Sequence, residues 1–316
     1  MGNVLPALPF FGPEPFDDYP LKVLCYGDSN TAGFCQYGRH FSPYAKSLKE
    51  ELAEFDIHAE VVYVGLSGLT AQEMAMKQNC KQIPDVTNRT GQGLNIVLKQ
   101  EPFHIAILMV GTNDIGRGTP PKDIMMYTQR LHKICHQNKV ATIAVGPVTA
   151  SAPQQVVSTR DEFAQLLEDY VEANRPILSY EDAADLMPKA EKQLWEPDDL
   201  HFTPLGSKQF GTTLAETVSD ATETINAAFD KHKQTRASLG EPPSFRVGED
   251  VQYFTGSAWL STRVKAVSSE GEIELDALPG AKLNRDQQDM YIRFDRNKFQ
   301  FYTDFPRTLQ TSRSRP

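Results

Sequence analysis

Leu21-Lys22-Val23-Leu24-Cys25-Tyr26-Gly27-Asp28-Ser29-Asn30 is an apolar run that stops at a glycine and passes straight into a polar turn. An apolar segment of that length, ended by glycine, reads as a buried strand closing in a tight turn. The pattern recurs twice. Ala59-Glu60-Val61-Val62-Tyr63-Val64 precedes Gly65-Leu66-Ser67-Gly68, and His104-Ile105-Ala106-Ile107-Leu108-Met109-Val110 precedes Gly111-Thr112-Asn113-Asp114. Helical periodicity fills the intervals: 44–55 places Tyr44, Leu48, Leu52 and Phe55 on one stripe, 71–76 starts a second helix, and 82–93 is a polar loop. Residues 124–136 read as a helix and 141–145 as a fourth strand. Thr159 with Glu162 suggests a capping box opening a further helix. Residues 177–179 form a short fifth strand, and Thr203-Pro204 opens a helix to about 229, with proline at its first position. This alternation predicts an α/β domain, a parallel sheet covered by helices on both faces. Ligands of such sheets bind outside the carboxyl ends of the strands, so the turns at Ser29, Gly68 and Asn113 share one rim. Ser29 also has an ordinary reading as the cap of the next helix.

A fourth segment, Asp198-Asp199-Leu200-His201, closes the same region. With Ser29, Gly68, Asn113 and His201 in four separated blocks and in this order, the stretch from about 21 to about 229 resembles the GDSL, or SGNH, hydrolase family. One position departs: Asn30 stands where the family usually has Leu or Ile. It flanks the serine and supplies no catalytic atom in the family scheme, so the departure bears on subfamily and acyl preference. The resemblance implies a flavodoxin-like three-layer α/β/α fold. It also implies Ser29 as nucleophile, His201 as general base, Asp198 as the carboxylate behind the histidine, and an oxyanion hole from Ser29, Gly68 and Asn113.

Each assignment has a chemical reason. A serine hydroxyl is a weak nucleophile at neutral pH and needs an adjacent base, a task suited to imidazole. A carboxylate three residues before the histidine can reach the ring's other nitrogen and fix its tautomer. Asp199 is the neighbouring rival to Asp198, and Gly65 the rival to Gly68. A glycine suits the oxyanion position because its backbone must approach the substrate closely. Asp28 and Asp114 are read as braces of the loops. Other nucleophile or phosphate motifs are missing, since the sequence has neither a Gly-x-Ser-x-Gly elbow nor a Gly-x-x-x-x-Gly-Lys-Ser/Thr loop.

Composition narrows the partners. The chain has 316 residues, 40% hydrophobic and 23% charged, enough for a full core and more than one domain. A formal net charge of -9 disfavours nucleic acid as partner, and no apolar run approaches the length of a transmembrane helix. Residues 1–20 mix apolar residues with Pro6, Pro9, Pro13 and Pro15 and lack a basic start, which suggests an extended arm instead of a signal peptide. The irregularly spaced Cys25, Cys35, Cys80 and Cys135 suggest reduced, mostly buried thiols and a cytoplasmic location. His132 and His136 lie four apart on one predicted helix; with no glutamate beside them, they are expected to face solvent, and no metal or cofactor is expected.

The composition shifts at 231–244, read as a linker. Beyond it, 250–254, 258–267, 271–275 and 290–294 are short β runs, and 245–298 looks like an SH3-like or Tudor-like barrel. Tyr253, Phe254 and Trp259 are better read as its core and rim than as an aromatic cage. A peptide or an intramolecular partner would suit this module, and 299–316 is a tail. The expected domains are therefore an arm (1–20), a catalytic domain (21–230), the linker and the small β domain. The expected activity is that of a serine carboxylesterase on small-molecule, short-acyl esters. A thioesterase, a lysophospholipase, or a non-catalytic protein recruiting partners through the β module are the alternatives.

Overall fold

The computed structural model describes residues 20–100, 103–138, 140–174, 177–238, 245–254, 259–284, 287–288 and 292–294, the side chains of 226–238, Phe254, Trp259, Arg293 and Phe294 excepted. Strand β1 (Leu21–Gly27) is buried from Val23 onward because both its faces are covered, the condition that makes a parallel strand apolar at successive positions. It turns at Asp28 into the single-turn helix α1 (Ser29–Ala32). A small hairpin follows, β2 (Phe34–Cys35) with β3 (His40–Phe41), before α2 (Ala45–Glu54) returns the chain to β4 (Ala59–Gly65). This hairpin had no counterpart in the sequence reading, since its strands are too short to show periodicity.

Helix α3 (Ala71–Met76) begins with a complete capping box between Thr70 and Glu73. The polar loop expected at 82–93 contains a second hairpin, β5 (Ile83–Pro84) with β6 (Thr90–Gly91). Helix α4 (Leu94–Gln100) leads to β7 (Ile105–Met109), followed by α5 (Thr112–Gly116), α6 (Pro121–Gln137) and β8 (Ala141–Gly146). Helix α7 spans Gln154–Ala173, so Thr159 lies inside it and does not cap it. Pro153 sets the start, and the Thr159 hydroxyl bonds back to the Gln155 carbonyl. Strand β9 (Ile177–Asp182), α8 (Ala183–Leu186) and the long α9 (Pro204–Ser238) complete the series. Helix α9 continues past 229 into the stretch read as a linker.

The five long strands form one parallel sheet in the order β4-β1-β7-β8-β9. Alternate side chains feed two cores. Leu24, Tyr26, Ala106 and Leu108 pack with Met74, Leu94, Leu131 and Phe163 on one face. Val23, Cys25, Ile105, Ile107 and Met109 pack with Leu48, Leu52, Phe210 and Leu214 on the other. The result is the α/β/α sandwich expected from the alternation.

His132 and His136 do not face solvent. His132 is fully buried, and both rings share the Thr142 hydroxyl of β8, at 2.8 and 3.0 Å. Their four-residue spacing puts them on one helix face, and that face is turned to the sheet. Burial pushes their pKa values down to about 3 and about 4, which keeps both rings neutral. Among the described residues, no cluster of three or more His, Cys, Asp or Glu is placed to hold a metal ion, and no helix is long and apolar enough to cross a membrane.

The described residues divide into two compact units, one ending at Asn226 and one from Ala227 onward. The second contains an antiparallel sheet of β10 (Asp250–Phe254), β11 (Trp259–Val267), β12 (Ile273–Leu275), β13 (Leu278–Leu283) and β14 (Ile292–Phe294), ordered β13-β12-β11-β10-β14. Four of these match the expected runs, and β13 is additional. Val251, Val264, Ile273, Leu275 and Leu283 form its core, joined by Tyr253. The side chains of Phe254 and Trp259, the arm at 1–19 and the tail lie outside the described residues.

Candidate active site

Strand register places the site. Gly27 of β1 pairs with Gly65 of β4 on one side and with Met109 of β7 on the other, so the turns that follow all leave the sheet from one row. Gly27 has to be glycine, because a Cβ there would overlap the Met109 carbonyl and the Thr31 hydroxyl. Asp28 then caps α1, its Oδ1 accepting from the Asn30 backbone N–H at 3.0 Å, and Ser29 is the first helical residue. The cap is thus the residue before the serine, which leaves the Ser29 hydroxyl uncommitted to the backbone.

That hydroxyl meets the histidine. Ser29 Oγ lies 2.8 Å from His201 Nε2, and His201 Nδ1 lies 2.7 Å from Asp198 Oδ2. The histidine is carried by a narrow hairpin bracketed by a β-bridge between Trp195 and Phe202, both buried in the sheet's second core. Inside it, the Glu196 N–H donates to the His201 carbonyl at 2.8 Å and the Asp199 N–H to the Glu196 carbonyl at 2.9 Å. Asp198 Oδ1 accepts from the backbone N–H groups of Leu200 and His201, both at 3.0 Å. Desolvation pushes the Asp198 carboxyl up, but these donors and the His201 ring together hold it below the ordinary carboxylate value. Asp199 points elsewhere: its backbone is left-handed, φ 52°, and its carboxylate takes Ser151 Oγ at 2.8 Å and Lys192 Nζ at 3.1 Å.

The opposite side of the site is made of backbone and an amide. Gly68 has φ 79°, a conformation that favours glycine, and a Cβ would press into Val86. Its carbonyl accepts from Arg117 Nη2 at 2.7 Å, and Arg117 also bridges to Glu73 at 3.3 Å. Gly65 is committed differently, since a Cβ there would collide with the backbone of Ala32. Asn113 Nδ2 donates to the Leu69 carbonyl at 3.0 Å, which occupies one of its two amide hydrogens. Two buried carboxylates brace these turns. Asp114 Oδ2 accepts from the Ala71 N–H at 2.8 Å, and Asp85 Oδ2 accepts from the Ser67 N–H at 3.2 Å. Desolvation pushes Asp114 up to about 6, against the hydrogen bond from Ala71, and the nearby Asp28 charge adds to the rise. Asp28 is raised as well, chiefly by complete burial.

The sequence reading missed the surroundings of the histidine. Phe34 on β2 packs its ring against His201, centroids 4.5 Å apart, and meets Phe41 of β3 edge-on at 6.0 Å. The Arg89 guanidinium lies over the Phe41 ring at 4.0 Å. Gly33 and Gly38, both left-handed, are the one sequence signal that could have revealed this hairpin.

Residues 25–209 match the family described as GDSL-like Lipase/Acylhydrolase. No curated protein matches the chain. Among solved structures, a G-D-S-L family protein described as lipolytic, from Desulfitobacterium hafniense DCB-2, is 20% identical with a TM-score of 0.49, over 62% of this chain and 98% of its own. A carbohydrate acetylesterase family member from Sinorhizobium meliloti is 19% identical with a TM-score of 0.49, over 62% of this chain and 96% of its own. The psychrotrophic esterase EstA from Pseudoalteromonas sp. is 15% identical with a TM-score of 0.48, over 64% of this chain and 99% of its own.

Proposed function

The chain belongs to the GDSL-like lipase/acylhydrolase family, and from that premise we propose that it is a serine carboxylesterase acting on short-acyl esters through an acyl-enzyme on Ser29. The observation that carries the reading is the continuous contact from Ser29 Oγ to His201 Nε2 and from His201 Nδ1 to Asp198, at 2.8 and 2.7 Å. In the first half-reaction Ser29 Oγ attacks the ester carbonyl while His201 Nε2 takes the hydroxyl proton, and Asp198 stabilises the resulting imidazolium. The backbone N–H groups of Ser29 and Gly68 and the free amide hydrogen of Asn113 receive the developing oxyanion. His201 then hands its proton to the departing alcohol. In the second half-reaction a water, deprotonated by the same ring, attacks the acyl-enzyme and releases the acid.

One side chain supports a small acyl group: Val86 lies close enough to Gly68 that a Cβ there would press into it, which narrows the rim beside the oxyanion position. The antiparallel unit beginning at 245 is proposed to be an SH3-like module separate from the 21–230 catalytic domain, on the strength of its own buried core.

Hydrolysis of p-nitrophenyl esters from acetate to palmitate, by wild type and Ser29→Ala, tests the reading together with a serine-directed phosphonate label. Turnover highest for the short acids, abolished in the variant, with label on Ser29, is the expected result. Absence of both turnover and labelling would refute it.

A further inference from the structure

We propose that the β2–β3 and β5–β6 hairpins form a leaving-group subsite beside His201, and that Arg89 makes it selective for esters whose alcohol portion carries a flat apolar body and an anionic group beyond it. The inference deepens the serine-esterase reading above and rests on it. The leaving oxygen must sit next to His201 Nε2 to collect its proton, so the alcohol portion departs along whatever lies against that ring. Phe34 lies there, half-buried and 4.5 Å away, offering an aromatic surface to a flat group. Phe41 meets that ring edge-on, planes 84° apart, and so forms a wall at its far side, and the Arg89 guanidinium stands over the Phe41 ring at 4.0 Å.

Arg89 is exposed, and among the described residues no carboxylate pairs with its guanidinium, whose contact is the ring of Phe41. An arginine stacked on an aromatic face keeps its in-plane N–H donors free for a carboxylate or phosphate. Its backbone is held firmly. Asp85 Oδ1 accepts from the N–H groups of Arg89 and Thr87 at 3.0 and 2.8 Å, while its Oδ2 takes the Ser67 N–H beside Gly68. One buried carboxylate therefore fixes both the segment carrying Gly68 and the residue carrying the cation. The backbone that carries the charge is thereby tied to the turn that carries Gly68, and the guanidinium rests on the Phe41 ring. Its sign is opposite to the net charge of the chain, -9, which would otherwise repel an anionic substrate.

The test compares 4-acetoxybenzoate and the longer 3-(4-acetoxyphenyl)propanoate with their neutral amides, in wild type, Arg89→Gln, Arg89→Lys and Arg89→Glu. The ratio of kcat/KM for acid over amide, compared between proteins, cancels the intrinsic difference in leaving group. For at least one length, Arg89→Gln is expected to lower that ratio roughly tenfold, the scale of one charge-assisted hydrogen bond. Arg89→Lys should retain part of it, Arg89→Glu should lower it further, and amide turnover should stay within about twofold throughout. Raising the salt concentration should erode the wild-type preference. Equal ratios in all four proteins at both lengths, with p-nitrophenyl acetate still hydrolysed, would overturn the subsite and leave the esterase standing. Loss of all ester turnover in wild type would overturn both.

Discussion

The two sides of the site are held by different means. On one side Ser29, His201 and Asp198 touch through side-chain atoms, and each turn is shaped first by its own neighbours: Asp28 caps the serine's helix and the 195–202 hairpin folds on itself, with Asn30 Nδ2 donating to the Leu200 carbonyl at 3.4 Å between the two. On the other side Gly68 and Asn113 are positioned by groups remote in sequence, with Arg117 on the Gly68 carbonyl, Asp85 on the Ser67 N–H and Asp114 on the Ala71 N–H. On the proposed mechanism the first side is a relay of reacting atoms, and the second is backbone pinned from outside. A change in the relay should then remove chemistry outright, whereas a change in a pin should degrade alignment by degrees.

Asp198→Asn probes the relay most severely. It should lower kcat by about 10⁴-fold by presenting the wrong hydrogen-bonding partner to His201 Nδ1. A loss below tenfold, in steady-state assays of p-nitrophenyl acetate, would mean that the relay is not the engine. Asn113→Ala should cost roughly 10²- to 10³-fold in kcat with KM nearly unchanged, the scale of one oxyanion donor. Arg117→Gln should cost less, on the order of tenfold in kcat, because it frees the Gly68 carbonyl without removing a donor to the oxyanion. Arg117→Lys should recover part of that loss. A variant with a lowered melting temperature and unchanged kcat would make Arg117 a structural tie alone.

The smallest effect separates the two sides by the sign of their pH dependence. Asp198 is held below its ordinary value, so its contribution to stability is present above the unfolded pKa and fades only as acid titrates the folded group. Asp114 behaves in the opposite way. Its folded pKa is raised from 3.8 to about 6, so the folded chain binds the proton more tightly and stability falls as pH climbs through that window, levelling above it. Thermal melts of wild type and Asp114→Asn at pH 5 and 7.5 should therefore show the wild type losing a few degrees relative to the variant at the higher pH. A difference independent of pH would remove Asp114 from the account.

Most of the relay side could be read from the sequence: Ser29 sits in a turn behind an apolar run, and the Asp198–His201 segment follows in the block order of the family the sequence resembles. The same runs disclosed the parallel sheet, since burial on both faces leaves a strand nothing but apolar positions. The pins could not be read, for a guanidinium that meets a carbonyl 49 residues away leaves no local pattern. Phe34 and Phe41 escaped for a related reason: two-residue strands carry no periodicity, and their aromatic contacts exist only after the hairpin folds against His201. His132 and His136 were misread because periodicity places residues on a common face without saying which way that face turns; the hydroxyl that satisfies both rings comes from β8.

His201 lies 172 positions after Ser29 in the chain, and that distance also sets a clock. If Ser29 is the nucleophile and His201 its base, a nascent chain that has so far released only the strand, turn and helix around Ser29 should be inert toward substrate and toward a serine-directed reagent alike. Reactivity should arrive only once Trp195 and Phe202 have emerged and seated the hairpin between them in the sheet's second core. Covalent capture of Ser29 during translation would thus report, at a single atom, the moment at which the last layer of the domain closes.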